Sequence, residues 1–131
     1  MKSEEADIIF NMEEVQQFVQ LLGDQNPIYQ SIKTAKTNGF QSIPLPPTMP
    51  MIAYKRIKTP WQLQHPVIHR KQHCTNYHTM YINQTYHAFV KLEDQYQRKQ
   101  FTFIQQSLYL YDQDRILCFK GTSQLITGGL I

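Results

Sequence analysis

The string Leu22-Gly23-Asp24-Gln25-Asn26-Pro27-Ile28-Tyr29 sets a carboxylate, an amide and a phenol within six residues of one another. Two chemistries fit it. Asp24 can bond its own backbone as a turn residue, with Asn26-Pro27 an ordinary turn initiator. Alternatively Asp24 is a general acid or base held on a loop just past a helix end. Five histidines, His65, His69, His73, His78 and His87, widen the choice. The first three recur every four residues, which on a helix makes a metal-ligand stripe. Pro66 and the β-branched context argue for a strand instead, where the same spacing also shares a face. No metal or cofactor is expected. No glycine-rich phosphate loop, nucleophile elbow or Cys/His nucleophile arrangement is present, and Gly128-Gly129 reads as a frayed end. Cys74 and Cys118 are too few for a disulfide scaffold or a thiolate cluster, and fit free thiols in a reducing cytoplasm.

These groups need a frame. The 131 residues, 41% hydrophobic and 12% aromatic, suffice for one domain with one core, taken as residues 1–131. No apolar run approaches the ~20 residues that span a bilayer. The acidic N-terminus has no signal-peptide core. Seventeen glutamines are scattered among apolar residues, so they form no prion-like tract. Ile8-Ile9-Phe10 reads as a short strand. Asn11 and Glu14 have capping-box spacing at the head of a helix whose apolar face is Val15, Phe18, Val19 and Leu22, and Gly23 ends it. A second short helix is expected from Ser31 to Thr37, closed by Asn38-Gly39. Three prolines in Pro44-Leu45-Pro46-Pro47 forbid regular structure there. Pro47 or Pro50 can open a buried helix that carries Met51-Ile52-Ala53-Tyr54 and runs to about Lys58. Trp61 and Tyr54 flank its end as core or dimer-contact residues.

From Val67 the pattern turns to strand. Tyr86–Leu92, Phe101–Tyr111 and Ile116–Ile126 are long strands. Glu93–Lys99 reads as one hairpin and Asp112-Gln113-Asp114 as the next. Large apolar groups on both faces of Phe101–Tyr111 predict a strand between a helix and a second layer. Four or five antiparallel strands on one central helix define an α+β domain.

The string V-x-x-F-x-x-L-L-G-D-Q-N-P-I-Y resembles the F-A-x-x-S/T-G-D-x-N-P-[apolar]-H signature of the MaoC-like dehydratase family. Ile43-Pro44-Leu45-Pro46-Pro47-Thr48-Met49-Pro50 is similar to the A-P-P-T-F segment found in the N-terminal half of double-hotdog dehydratases of that family, and the stretch Gln72–His78 followed by three long strands fits the same subgroup. The resemblance covers nearly the whole chain. It implies a single hotdog, a curved antiparallel sheet wrapped around a central helix. It also implies hydratase or dehydratase chemistry on acyl-CoA or acyl-carrier-protein thioesters. In such sites an Asp and a His flank a water at the β-carbon, and helix-start N–H groups hold the thioester oxygen. Carried onto this chain, the acid is Asp24, Asn26 and Pro27 shape the loop, and Thr48 or Met49 supplies the N–H.

The histidine of the signature is Tyr29 here. A phenol, with a reference pKa of about 10, serves as a base near neutrality only after a fall of roughly three units, or about 4 kcal/mol. His78 is the candidate replacement base. Three functions stay open: a hydratase or dehydratase using Asp24 with Tyr29 or His78, a non-catalytic acyl-binding subunit beside a hotdog with an intact Asp–His pair, and a thioesterase. Residues 1–24 carry a net charge of −5, whereas residues 25–92 hold no carboxylate and eight bases. Such a field draws anions. Lys55 and Arg56, with Lys58, Arg70 and Lys71, either solvate a surface or meet the phosphates of coenzyme A or an acidic carrier. The bases form no run and no nucleic-acid motif, so nucleic acid is not expected. An unpaired sheet edge and the resemblance both imply a homodimer or a heterodimer with another hotdog chain. The chain's end at its last strand places the second hotdog in another molecule.

Overall fold

The computed structural model describes all 131 residues. Strand β1 (Ala6–Ile9) leads into helix α1 (Met12–Leu22), and a 3-10 turn (Pro27–Tyr29) into helix α2 (Ile32–Thr37). A 3-10 central helix (Met49–Arg56) precedes β2 (Leu63–Asn76), β3 (Thr85–Arg98), β4 (Phe101–Tyr111) and β5 (Leu117–Leu130). The five strands form one antiparallel sheet in the order β1-β3-β4-β5-β2. No helix is long and apolar enough to cross a membrane.

Local rules explain the first half. Asn11 accepts the Glu14 N–H at 2.8 Å and Glu14 accepts the Asn11 N–H at 3.1 Å, closing the capping box. Val15 and Val19 bury the inner face of α1, while Leu22 stays exposed. Gly23 takes φ 68°, which a Cβ would disfavour, and its N–H bonds the Gln20 carbonyl while that of Asp24 bonds Val19. Ser31 caps α2 and Asn38-Gly39 closes it as expected.

The central helix is shorter and tighter than expected. Pro46, Pro47 and Pro50 remove three donors, so the segment closes by i→i+3 bonds such as Met49 to Pro46 and Met51 to Thr48. Met49, Pro50 and Ala53 are buried beneath the sheet. Gly121 of β5 lies under Met51, where a Cβ would collide with the sulfur. Trp61 donates to Gln106 at 3.3 Å, and Gln106 donates to the Tyr54 hydroxyl at 2.7 Å, so the polar ends of both aromatics are satisfied, with Trp61 in the core and Tyr54 half-buried against it.

Three expectations about the strands are corrected. Glu93–Arg98 is the outer end of β3, paired along Thr102 and Phe101, and the turn sits at Lys99-Gln100, with Lys99 at φ 58°. Gly128-Gly129 belongs to the β5 ladder, with Gly129 opposite Gln64. No second layer of this chain covers the outer face of β4; there Phe89 stacks on Tyr109 at 5.0 Å and Tyr96 on Phe103 at 5.0 Å, with Lys120 over Tyr109. The inner face, with Ile104, Leu108 and Leu110, joins the one hydrophobic core. The Asp112 turn is as expected, its carboxylate accepting the Asp114 and Ile116 N–H groups.

Candidate functional site

The loop after α1 is built by a chain of short-range bonds. Asp24 Oδ1 accepts the Asn26 N–H at 3.0 Å, and Asn26 Oδ1 accepts the Ile28 N–H at 3.2 Å. Each side chain thereby holds the backbone two residues on. Pro27 opens the 3-10 turn, and Gln16 of α1 donates to the Tyr29 carbonyl at 2.6 Å. These bonds deliver Tyr29 into the interior, where only 6% of it is exposed.

Tyr29 lines a cleft of about 370 Å³. Ile28, Phe40, Pro44, Leu45, Pro47, Pro50 and Met80 supply apolar wall, and Asn76, Tyr77, His78 and Thr79 its polar rim. The far wall is zipped from two distant segments. Leu45 N–H bonds the Met80 carbonyl at 2.8 Å, and Ile82 N–H bonds the Ile43 carbonyl at 3.2 Å. Tyr77 and His78 both donate backbone N–H groups to the Cys118 carbonyl, at 2.8 and 3.3 Å, which fixes the rim against β5.

The structure thus brings Tyr29 and His78 to one cleft, with His78 exposed at its rim. Asp24 is half-buried beside this cleft and outside its walls, yet close enough to act on Tyr29. Burial first, and the Asp24 carboxylate second, push the Tyr29 phenol above its ordinary pKa. Tyr29 is therefore a neutral hydrogen-bond donor at physiological pH.

At the helix start, Pro46–Met49 is a turn with Thr48 at φ −97°, ψ −10°. The Met49 N–H is consumed by the Pro46 carbonyl at 3.0 Å, whereas the Thr48 N–H has no backbone partner. Met49 itself is buried under the sheet. Thr48 is exposed between Pro47 and Pro50, both of which line the cleft.

Other candidates lie elsewhere. Asn26 is an exposed capping residue outside the cleft. Lys55 and Arg56 do not line it either. Arg56 pairs with Glu14, donates to the Ile9 carbonyl at 3.0 Å and lies over the Phe10 ring, so it fastens the central helix to the N-terminal segment. His65, His69 and His73 sit on β2, and a bulge between His69 and Lys71 breaks their common facing. His87 meets Asp7 at 2.8 Å across the β1–β3 ladder. Sequence reasoning missed Phe40, Asn76, Tyr77, Thr79 and Met80, whose roles arise from long-range zippering and carry no local signal.

Five strands packed on a short central helix, with a cleft at that helix's start, define a single hotdog. The HadBC (3R-hydroxyacyl-ACP dehydratase) complex from Mycobacterium tuberculosis contains a chain of this fold, with a TM-score of 0.84 at 14% identity over 96% of this chain and 94% of that one. The (R)-hydratase from A. caviae matches with a TM-score of 0.75 at 16% identity over 95% of each chain. The MaoC-like dehydratase from Rhodospirillum rubrum matches with a TM-score of 0.78 at 10% identity over 97% of this chain and 90% of that one. No curated protein matches the sequence. Residues 1–114 match the family described as FAS1-like, dehydratase domain region, and the chain belongs to that family.

Proposed function

We propose that this protein binds an acyl thioester in the Tyr29–His78 cleft as one half of a hydratase- or dehydratase-type hotdog pair. The second hotdog supplies the Asp–His base that this chain lacks. One observation carries the reading: the position that holds imidazole in the resembled signature holds a phenol, neutral at physiological pH by its ordinary pKa and pushed further from ionisation by burial and by Asp24. Hydration adds water to the β-carbon of an enoyl thioester and a proton to the α-carbon, and the base that takes the water's proton works best near neutral pKa. Tyr29 cannot take that proton; it can donate a hydrogen bond to a water or a carbonyl. The unpaired Thr48 N–H, between two cleft-lining prolines, is suited to the thioester oxygen as charge develops there. The apolar wall from Ile28 to Met80 suits an acyl chain.

The carboxylate-free segment 25–92 favours an anionic carrier, either coenzyme A or an acidic acyl carrier protein. The HadBC relative is itself a complex, which supports a paired arrangement here. The unpaired thiols of Cys74 and Cys118 fit a reducing, cytoplasmic setting. A second reading has one specific support. His78 shares the cleft with Tyr29, and as the base it would let this chain hydrate alone, with or without Asp24.

Crotonyl-CoA followed at its enoyl absorbance separates these readings. The chain alone should leave the band intact. Tyr29→His should create hydration, and Asp24→Asn in that background should remove it. Loss of the band with the wild-type chain, abolished by His78→Ala, would overturn the subunit reading in favour of His78. Release of free thiol would point to a thioesterase.

A further inference from the structure

Four large apolar side chains form one row across the outer face of the sheet. Tyr96 of β3 is opposite Phe103 of β4, Phe103 is opposite Ile126 of β5, and Ile126 is opposite Ile68 of β2. Their neighbours Ile104, Leu125 and Thr127 are buried on the inner face, so the row points outward. Tyr96 and Ile68, at its two ends, are 50% and 51% exposed, and Phe103 and Ile126 are partly exposed. Single apolar residues on a surface are ordinary, whereas a continuous row of them marks a contact. The apolar pattern of Phe101–Tyr111 calls for a second layer on this face, and the chain itself supplies none.

The next row carries charge. Asp94 is opposite Gln105, Gln105 is opposite Gln124, and Gln124 is opposite Lys71. The two amides bond each other at 3.4 Å. This row therefore has an acid at its β3 end and a base at its β2 end. Arg70, in the β2 bulge, lies over the Phe103 ring at 5.9 Å and shares a cleft of about 150 Å³ with Asp94. None of Asp94, Arg70 and Lys71 forms an ion pair within the chain.

We infer that this outer face docks a second copy of the chain, sheet against sheet, about a two-fold axis that runs parallel to the strands between β4 and β5. Facing sheets pack about 10 Å apart with their strands within about 30° of one another. The axis lays β3 over β2 of the other copy, and β4 over its β5. Tyr96 then meets Ile68 of the other copy, and Phe103 meets Ile126. In the next row Gln105 meets Gln124, and Asp94 meets Lys71. A two-fold contact makes every such pair twice, so one face meets its own complement throughout. An axis across the strands would instead set acid against acid and base against base. An anionic membrane would meet Asp94 as a like charge. The contact uses side chains of one face only, and none of them lines the Tyr29 cleft. It goes beyond the thioester reading and does not depend on it.

The test uses the full chain and two variants at exposed positions, Asp94→Lys and Lys71→Glu, with circular dichroism to check folding. Light scattering after gel filtration reads the mass at low salt, just above the wild-type dissociation midpoint. Wild type should run at twice the mass of either variant, because each variant sets like charges against each other at both ends of the contact. An equimolar mixture of the two variants should regain the wild-type mass, since every charged pair in the mixed dimer is opposite again. Tyr96→Ser, which removes apolar contact and no charge, should also halve the mass. Equal masses for wild type and every variant, or a mixture that stays at the variant mass, would overturn the proposal. So would an effect of Lys71→Glu without one of Asp94→Lys, which would move the contact to the edge of β2. Wild type that stays at 15.5 kDa at every concentration overturns it too, and flotation of that monomer with phosphatidylglycerol vesicles would assign the face to lipid. The readout is mass, so such a failure leaves the thioester reading standing, and a failed crotonyl-CoA result leaves this one standing.

Discussion

The two walls of the cleft are built by different physics. The near wall, Ile28 and Tyr29, hangs from α1 through a relay of bonds none longer in sequence than the thirteen residues from Gln16 to Tyr29. The far wall exists only because distant segments meet: Leu45 with Met80, Ile43 with Ile82, Tyr77 and His78 with Cys118. Tyr29 is thus set by local chemistry, whereas the space it faces is a product of cooperative packing. Damage to one wall should leave the other readable.

The sharpest break is expected at Met49. Its side chain is fully buried beneath the sheet, between the two prolines of the far wall. Truncation leaves a cavity that the proline-stiffened segment collapses poorly around. Met49→Ala should cost about 2–5 kcal/mol, read as a lower urea midpoint with an unchanged slope. Thioester affinity should fall with it, because Pro47 and Pro50 lose their support. A midpoint within experimental error of wild type would show that the far wall does not depend on the helix start.

A smaller effect is expected on the near wall. Asn11→Ala removes one half of the capping box and should cost about 1 kcal/mol. Glu14→Gln is its control. The amide oxygen keeps the reciprocal bond to Asn11, and only the ion pair to Arg56 is lost. That pair is partly exposed and should contribute less than about 1 kcal/mol. If Glu14→Gln destabilises more than Asn11→Ala, the tie between α1 and the central helix outweighs the cap, and the near wall is not local after all.

This contrast also governs what the sequence discloses. Asn11 with Glu14, Gly23, Ser31 with Asn38-Gly39 and Asp112 each act within a few residues, so their roles can be read from spacing. The most specific part of the family resemblance is likewise the near-wall string, with the proline segment and Gln72–His78 supporting it. The central helix misleads because prolines at 46, 47 and 50 decide between 3-10 and α geometry only once its buried face is known. Glu93–Arg98 looks like a loop by composition, yet pairing with Phe101 and Thr102 makes it strand. Gly128-Gly129 looks frayed until β2 is placed beside it. Of the far wall only the proline string and the Gln72–His78 stretch with its His78 are legible, through the resemblance; Thr79 and Met80 acquire meaning only from partners more than thirty residues away in sequence.

The smallest effect tests whether Asp24 and Tyr29 form one electrostatic unit. Asp24→Asn keeps an oxygen for the Asn26 N–H, so the turn survives while the charge is lost. Tyr29 stays buried, and burial is the larger cause of its raised pKa. Its titration should therefore move only part of the way back toward the ordinary value of about 10. The chain holds eight tyrosines, two of which, Tyr86 and Tyr109, burial pushes up to about 12, so the phenolate band must be read as a difference against Tyr29→Phe. The linkage has a definite sign. A folded-state pKa above the unfolded one contributes stability that is whole below pH ~10 and disappears as pH rises through the folded value. Asp24→Asn lowers that folded value, so above pH ~10 the variant should lose less stability than wild type, with no difference from this source at neutral pH. An unmoved Tyr29 titration in Asp24→Asn would dissolve the coupling, and with it the case that the Asp24 carboxylate helps to raise the Tyr29 pKa.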